Sequence, residues 1–356
     1  MTAHISKLDI KTYRGLKNFE ISDIGQFNVF VGDNNSGKTS VLEVIRILSQ
    51  PSDIGNILKV AFSRKNRVKQ NDFIDTALTI FQKETPLEYE NKNMRDVYSL
   101  EMSSIIDNNH VSLEIFAELS KKLNFSSEVD NSLDSVIDGS IKVTRDSNKP
   151  EVTMFTVESN SKISVDTTEE IYKAVFMPVS VNLYGSCVTL YPEVIKTEKK
   201  DIFIEVLQIF DKNIYDISIV EEMIWVHHRD KETMPLFSYG SGMQKALLMS
   251  IVLVMSKDGV LLIDEVETAL HTLALKEVFS FLFKACKKMN VQLFATTHSI
   301  EAVDKILSTA KSNGSLDDVR IITIKKNVKL NKTLARVLNG SVALEDRENY
   351  AMELRI

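Results

Sequence analysis

The residues best suited to chemistry are Gly32, Asp33, Asn34, Asn35, Ser36, Gly37, Lys38 and Thr39, which follow the apolar run Phe27 to Val31. Their spacing is G-x-x-x-x-G-K-[ST], the pattern of a loop that wraps the phosphates of a nucleotide. Gly32 and Gly37 permit backbone angles that turn successive N–H groups toward one point, forming an anion nest. Lys38 supplies a compact positive charge for the β- and γ-phosphates, and the Thr39 hydroxyl is a ligand for Mg²⁺. From Ser40 the chain keeps helical apolar spacing through Leu48, so phosphate would meet a helix N-terminus. The expectation is nucleotide binding.

Three further segments could join this loop. Val260 to Ile263 is apolar and closes on Asp264 and Glu265. A buried strand ending there would set Asp264 beside the phosphate loop to hold Mg²⁺ directly or through water. Glu265 would then orient or deprotonate an attacking water. Ser238 to Lys245 opens a strongly apolar helix with Ser241 as its expected N-cap, and Gly240 and Gly242 leave the first amides bare. That is an anion site, although a capped core helix would have the same pattern. His298 follows the apolar run Val291 to Phe294. A histidine satisfied within the core is the plainer reading, and its position after Asp264 and Glu265 favours the functional one.

The frame for these residues is read as α/β. Residues 1–50 form strand, turn, strand, phosphate loop and helix. Residues 51–93 are polar and less regular, a solvated lid or connecting helices, with a DNA-contact patch around Arg64, Lys65, Arg67 and Lys69 as the alternative. Residues 97–185 alternate as strands, with Lys121 to Asp138 expected as a mobile excursion. A strand at 174–177, a helix at 201–210 and a hairpin at 217–227 follow. From Ser238 helices (242–256, 273–289, 300–310) alternate with buried strands (259–264, 291–296, 319–324), which implies a parallel sheet covered on both faces. The expected division is an ATPase core of 1–50 and 236–340, inserted β-rich and helical lobes over 51–235, and a C-terminal tail, 341–356. Sustained heptads are missing from the middle section, which argues against a long coiled-coil arm.

Composition sets outer bounds. The net charge of −6 argues against a generally basic surface, so any nucleic-acid contact must be local, induced by assembly or made by a partner. Cys187 and Cys286 are far apart in apolar surroundings and read as reduced core thiols. Neither a leader segment nor a membrane-length apolar run is evident, so a cytoplasmic protein without a membrane partner is expected.

Taken in chain order, these motifs resemble the ABC-type ATPases of the chromosome-maintenance and recombination (SMC/RecF-like) branch. Gly32 to Thr39 resembles their Walker A, Ser241 to Leu247 their signature motif, and Leu262 to Glu265 their Walker B. Glu267 to His271 resembles an E-x-x-L-H D-loop, Thr297-His298-Ser299 the switch-histidine loop, and Tyr13 to Phe19 their basic-aromatic opening. Within the branch the likeness is to the short AAA-15/AAA-21 group, the ATPase half of OLD-type (overcoming lysogenization defect) nucleases. Three positions depart from the pattern. Met243 stands in place of a glycine and Thr272 in place of a proline, and no Q-loop glutamine is assignable beyond the weak candidates Gln70 and Gln82.

The resemblance implies a P-loop ABC-type ATPase head that binds ATP and Mg²⁺ and closes head-to-tail as a homodimer or higher homo-oligomer. Ser241 and Gly242 of one subunit would meet the γ-phosphate held by Lys38 of the other. Glu265 and His298 would serve hydrolysis, and Arg14 would add charge near the phosphates unless it is a solvated arginine beside an edge strand. OLD-type nucleases continue into a Toprim domain beyond the point where this sequence ends at Ile356. A separately encoded nuclease/Toprim effector is therefore the expected partner, as in anti-phage systems such as PARIS, with nucleic acid or a phage protein as further partners. The other readings are a DNA-repair or chromosome-maintenance ATPase that clamps DNA itself, and a non-hydrolysing scaffold that uses ATP to assemble. A transporter subunit fits the insertion poorly, and a GTPase lacks its Asn-Lys-x-Asp segment, since Asn331 to Leu334 has no acid.

Overall fold

The computed structural model describes residues 5–64, 72–84, 96–123, 133–146, 148–158, 170–196, 200–327 and 329–354. The chain opens with β1 (Ile5–Tyr13), β2 (Leu16–Ile21) and β3 (Phe27–Val31), then enters α1 (Lys38–Ser49), α2 (Ile54–Phe62), α3 (Phe73–Leu78) and β4 (Gln82–Lys83). A meander of β5 (Asp96–Ile106), β6 (Asn109–Leu123), β7 (Leu133–Arg145) and β8 (Glu151–Glu158) precedes β9 (Ala174–Met177). Next come α4 (Leu183–Ile195), α5 (Lys200–Gln208), β10 (Ile214–Val220), β11 (Met223–His228) and β12 (Met234–Pro235). The last part contains α6 (Ser241–Met255), β13 (Val260–Ile263), α7 (Thr272–Met289), β14 (Gln292–Thr296) and α8 (Ile300–Ser312). It ends with β15 (Val319–Asn327), β16 (Lys332–Asn339) and α9 (Gly340–Tyr350).

Strands β3, β13 and β14 are buried along their whole length, which their largely apolar sequences allow. They form the centre of a six-stranded sheet ordered β16-β15-β3-β14-β13-β9, parallel except for the β15–β16 hairpin at its edge. Phe27, Val29 and Val31 pack on one face with α6, α7 and α8. Phe30, Leu262 and Phe294 pack on the other with α1 and the second sheet. Each such side chain contributes about 1.5–3 kcal/mol by leaving water, so a charge at Leu262 would open both the sheet and its cover. Asn28 is the polar exception within β3. Its amide donates to Gly25 and Leu293 carbonyls and accepts the Gly25 N–H, so its burial leaves nothing unsatisfied.

The second sheet is antiparallel, ordered β2-β1-β5-β6-β7-β8, with β4 paired to β5. The meander is thus continuous with the N-terminal hairpin through the β1–β5 ladder. Half of the expected excursion at Lys121 to Asp138 is regular strand: β6 runs to Leu123, β7 starts at Leu133, and those two residues are partners. The Ser, Asn and Asp content that suggested a loop is concentrated in 124–132, outside the described residues. Strand β9 belongs to the parallel sheet beside β13, and the expected strand at 319–324 extends to Asn327 and carries the antiparallel β16. Both cysteines are buried and free, and burial pushes the Cys187 thiol up to about 12 and the Cys286 thiol higher as well. Among the described residues no helix is long and apolar enough to cross a membrane.

Candidate nucleotide site

The register Phe30↔Thr296 and Ala295↔Ile263 brings the carboxyl ends of β3, β14 and β13 to one edge of the sheet. Parallel α/β sheets bind ligands at such an edge. A cleft of about 590 Å³ opens there, lined among others by Arg14, Asn34, Asn35, Gly37, Lys38, Thr39, Ser40, Arg64, Glu265, His298 and Lys326. Gly32 and Gly37 adopt φ of 142° and 110°, and a Cβ on either would lie 2.5 Å from Ile324 O or Leu16 Cδ2 respectively. Only glycine fits both positions. Asn35, at φ 61°, completes the turn.

Lys38 is almost fully buried, and its ammonium donates to the Gly32 and Asp33 carbonyls at 2.8 Å each. Burial lowers its pKa, against the opposing pull of Asp264 and Asp33. Helix α1 starts from Gly37 with no side-chain cap, and the buried Ser36 Oγ has no partner. Bare amides, an orphaned hydroxyl and a desolvated cation converge on one loop, which is the donor set a polyphosphate requires.

Thr39 Oγ1 lies 3.1 Å from both carboxylate oxygens of Asp264, across 225 residues of sequence. These are hard oxygen donors, and among the described residues no group of three or more His, Cys, Asp or Glu could enclose a metal ion. Two protein oxygens with the other positions left to phosphate and water fit Mg²⁺, which keeps much of its hydration. Buried Thr296 organises this corner. Its hydroxyl donates to Asp264 Oδ1 at 2.6 Å and accepts the Glu265 N–H at 2.8 Å.

Glu265 holds a left-handed backbone, φ 48°, which costs a non-glycine residue about 1–2 kcal/mol. Thr296 secures its N–H and buried Lys245 donates to its carbonyl at 2.7 Å, while Thr268 Oγ1 donates to its carboxylate at 3.0 Å. Burial lowers the Lys245 pKa to about 8, partly offset by Glu267 and Glu265. His298 Nε2 stands 3.7 Å from Glu265 Oε1, and the His298 backbone N–H donates to Glu267 Oε1. Together these tie the β13 turn, the β14 turn and α6.

Arg14 has a setting more specific than an edge strand. It occupies the β1–β2 turn at φ 49°, largely buried, with Nε 3.1 Å from Glu43 Oε2. Glu43, on α1, is 1% exposed and receives the Arg64 fork at 2.7 and 2.8 Å and the Tyr13 hydroxyl at 3.0 Å. Arg64 Nη2 also donates to Ser40 Oγ at 3.1 Å. Burial opposes the charge of Arg64, but the hydrogen bond and the charge attraction to Glu43 together outweigh it and raise the guanidinium pKa. Arg64 was visible in the sequence only as part of a basic cluster. The rest of that cluster, Lys65, Arg67 and Lys69, lies outside the described residues, as does Gln70. Gln82 is a strand residue paired with Ser99 and does not line the cleft. Glu43, Lys245 and Thr296 escaped sequence reading because each sits within an apolar or signature-like run that says nothing of its partner.

Ser241 and Gly242 do not line the cleft. Gly240, not Ser241, is the N-cap of α6: its carbonyl accepts from Met243 N and Gln244 N, and no side chain caps the helix. Ser241 is therefore the first helical residue, exposed, beside a glycine over which nothing lies within 4 Å of an added Cβ. Gly242 packs against Ala269 O and Phe210. The departure at Met243 is a buried core side chain, and Thr272 opens α7 behind the capping His271.

Comparison with known proteins agrees with this geometry. The family described as "AAA ATPase domain" matches residues 4–186, and that described as "AAA domain, putative AbiEii toxin, Type IV TA system" matches residues 108–304. Each covers more than half of the chain. An ATP/GTP phosphatase of Helicobacter pylori is 23% identical over 358 residues, covering 91% of this chain and 93% of that protein. The DNA replication and repair protein RecF of Acinetobacter baumannii is 46% identical over 46 residues, which is 13% of each chain. The crystal structure of an Smc head bound to the C-winged helix domain of ScpA superposes with a TM-score of 0.52 at 13% identity. That superposition covers 96% of this chain and 99% of the other, a likeness of fold. The phosphate loop, the acidic strand end beside it and these matches together establish that the chain belongs to the AAA ATPase domain family, with a fold like that of an Smc head.

Proposed function

We propose that this chain is a slow ATPase subunit that pairs head-to-tail around two ATP–Mg²⁺ and thereby controls an assembly acting on nucleic acid. The observation that carries the reading is the division of the motifs. Lys38, Thr39, Asp264, Glu265 and His298 share one cleft region, while the uncapped helix start at Ser241 and Gly242 is not part of its lining. A bare helix N-terminus with no ligand in its own subunit suits the γ-phosphate held by another copy.

In this mechanism Lys38 and the amides of Gly32, Asp33, Asn34, Asn35, Ser36 and Gly37 bind the phosphates, and Ser40 extends the contact into α1. Thr39 and Asp264 would hold Mg²⁺, which would supply charge neutralisation for the phosphates. Glu265 takes the proton of the attacking water, within reach of His298, which senses the γ-phosphate. Preorganised charge supplies most of the transition-state stabilisation. The strained backbone of Glu265, held at its N–H and carbonyl, with its carboxylate held by Thr268, supports that role, since such strain gathers where geometry must be held.

For the biological role we favour the sensor subunit of an anti-phage system whose nuclease is a separate polypeptide. The Type IV TA wording of the matching family supports this reading. A second reading, a DNA-repair ATPase that clamps duplex DNA itself, is favoured by the RecF segment and the Smc-head fold. Glu265→Gln tests the mechanism and separates the roles. It should retain ATP, slow hydrolysis by about 10²-fold through loss of the base, and accumulate an ATP-dependent dimer in light scattering. Equal turnover by variant and wild type would establish the scaffold reading instead. Retention of duplex DNA by the trapped dimer would favour the clamp. Failure to retain DNA, with protection against phage that requires a neighbouring nuclease gene, would favour the sensor.

A further inference from the structure

We propose that Glu43 is a positioning residue that holds Arg14 and Arg64 as a two-armed clamp for the polyphosphate; the proposal rests on the ATP-binding reading of this cleft. The argument is one of charge count and donors. A single carboxylate, 1% exposed, faces two guanidiniums: Arg64 through a fork of 2.7 and 2.8 Å, and Arg14 at 3.1 Å. The Tyr13 hydroxyl is kept protonated by burial and adds another donor at 3.0 Å. Glu43 can neutralise one of the two cations. The second remains in excess, beside a cleft that also carries Lys38 and Lys326. Arg14 Nη2 is buried without a hydrogen-bond partner. An unspent positive charge and an unspent donor call for an anionic oxygen, and both arginines line the cleft in which phosphate would lie.

The elements explain how the clamp is built. Arg14 sits in the β1–β2 turn, its backbone N–H bonded to Ile80 O and its Nη1 to Thr79 Oγ1. Arg64 follows α2 and reaches Ser40, one residue past Thr39. Glu43 lies on α1, one helical turn beyond Thr39. One carboxylate therefore ties two separate segments, Tyr13 with Arg14 and Arg64, to the helix that opens at the phosphate loop. Arginine rather than lysine is needed for the bidentate fork, and a carboxylate can accept that fork and the Tyr13 hydroxyl while attracting the charge of Arg14, whose Nε donates to the Tyr13 hydroxyl at 3.2 Å. Glu43 touches no reacting atom in this scheme and acts through the arginines.

The test is calorimetric titration of wild type, Glu43→Gln, Arg64→Gln and the double variant with ATP and with inorganic tripolyphosphate, beside Lys38→Ala. Glutamine keeps the size of Glu43 but not the charge that sets the arginines. Each single variant should lose about tenfold in affinity for both ligands, the worth of one charge-assisted hydrogen bond. KM for ATP should rise about as much, with kcat changing less than threefold. The double variant should lose little more than either single one, because both remove the same arm. Arg64 is 41% exposed, so Arg64→Gln should fold even where Glu43→Gln does not, and it then decides the matter alone. Folded variants that bind both ligands like wild type would overturn the clamp. So would a loss confined to ATP that spares tripolyphosphate, or losses that add in the double variant. Wild type that fails to bind ATP, or Lys38→Ala that binds it normally, would instead overturn the nucleotide reading and the clamp with it.

Discussion

Thr296→Val is the substitution that most sharply tests how the acidic strand end is organised. Valine has nearly the shape of threonine, so packing in this fully buried position is preserved and only the hydroxyl is lost. That hydroxyl makes two bonds in opposite senses, donating to Asp264 Oδ1 and accepting the Glu265 N–H. The first is a bond to a charged acceptor, about 1.5–3 kcal/mol, and the second leaves a buried amide orphaned at about 1–3 kcal/mol. A total of about 3–4 kcal/mol is expected, since the site relaxes in part. With an unfolding entropy of about 2.1 cal/mol/K per residue over 356 residues, Tm should fall by about 4–5 °C. Both bonded groups flank the reaction. If about half of the loss appears in the transition state, kcat falls by about 10- to 30-fold while ATP affinity, which rests on Lys38 and the loop amides, changes little. Thr296→Ser keeps the hydroxyl and should recover most of the rate. Calorimetric melting and a coupled phosphate-release assay measure the two effects. A Thr296→Val protein with wild-type Tm and rate would refute the organising role of this hydroxyl.

Two further outcomes are expected. Ser241→Arg places a bulky cation at the exposed start of α6, so it should bind ATP normally yet neither associate nor hydrolyse in response. Mixing it with Lys38→Ala should restore some activity through one complete composite site, and no recovery in proven mixed pairs would count against shared sites. Lys245 should give stability a pH signature. Its folded pKa is about 8 against 10.5 in the unfolded chain, so between those values the unfolded state binds more protons and this residue's contribution to stability rises with pH. Melting curves of wild type and Lys245→Met between pH 8 and 10 should therefore differ by a gap that shifts toward the wild type as pH rises, and a constant gap would refute the assignment.

The alternation of helices with unbroken apolar runs after Ser238 was enough to anticipate a parallel sheet, because a strand buried on both faces has few other solutions. Gly32 and Gly37 announced their loop for the same kind of reason, since their backbone angles exclude other residues. What was hidden depended on long-range pairing. Arg64 looked like a solvated charge because its partner, Glu43, lies in an apolar helix where an acid carries no periodic signal. Ser241 looked like an N-cap because serine is good at capping, yet Gly240 took that place and left the helix start bare. The meander was legible as alternating strands, but nothing in their spacing said that β5 would pair with β1 across most of a hundred residues. Thr296 differs from its neighbour Thr297 only in the direction the strand points it, and register decides that.

The place of β3 between β14 and β15 has a consequence for synthesis. Both neighbours come from residues beyond 290, so a nascent chain carries the entire phosphate loop for hundreds of residues before the strand beneath it has a hydrogen-bonded partner on either side. Pairings of such separation are slow to form and leave apolar edges open meanwhile. The acids after β13 reach the loop only once those ladders close. ATP affinity is therefore expected to arrive late, once translation has passed β15, and a chain interrupted before that point is expected to bind nucleotide weakly despite its complete Walker sequence.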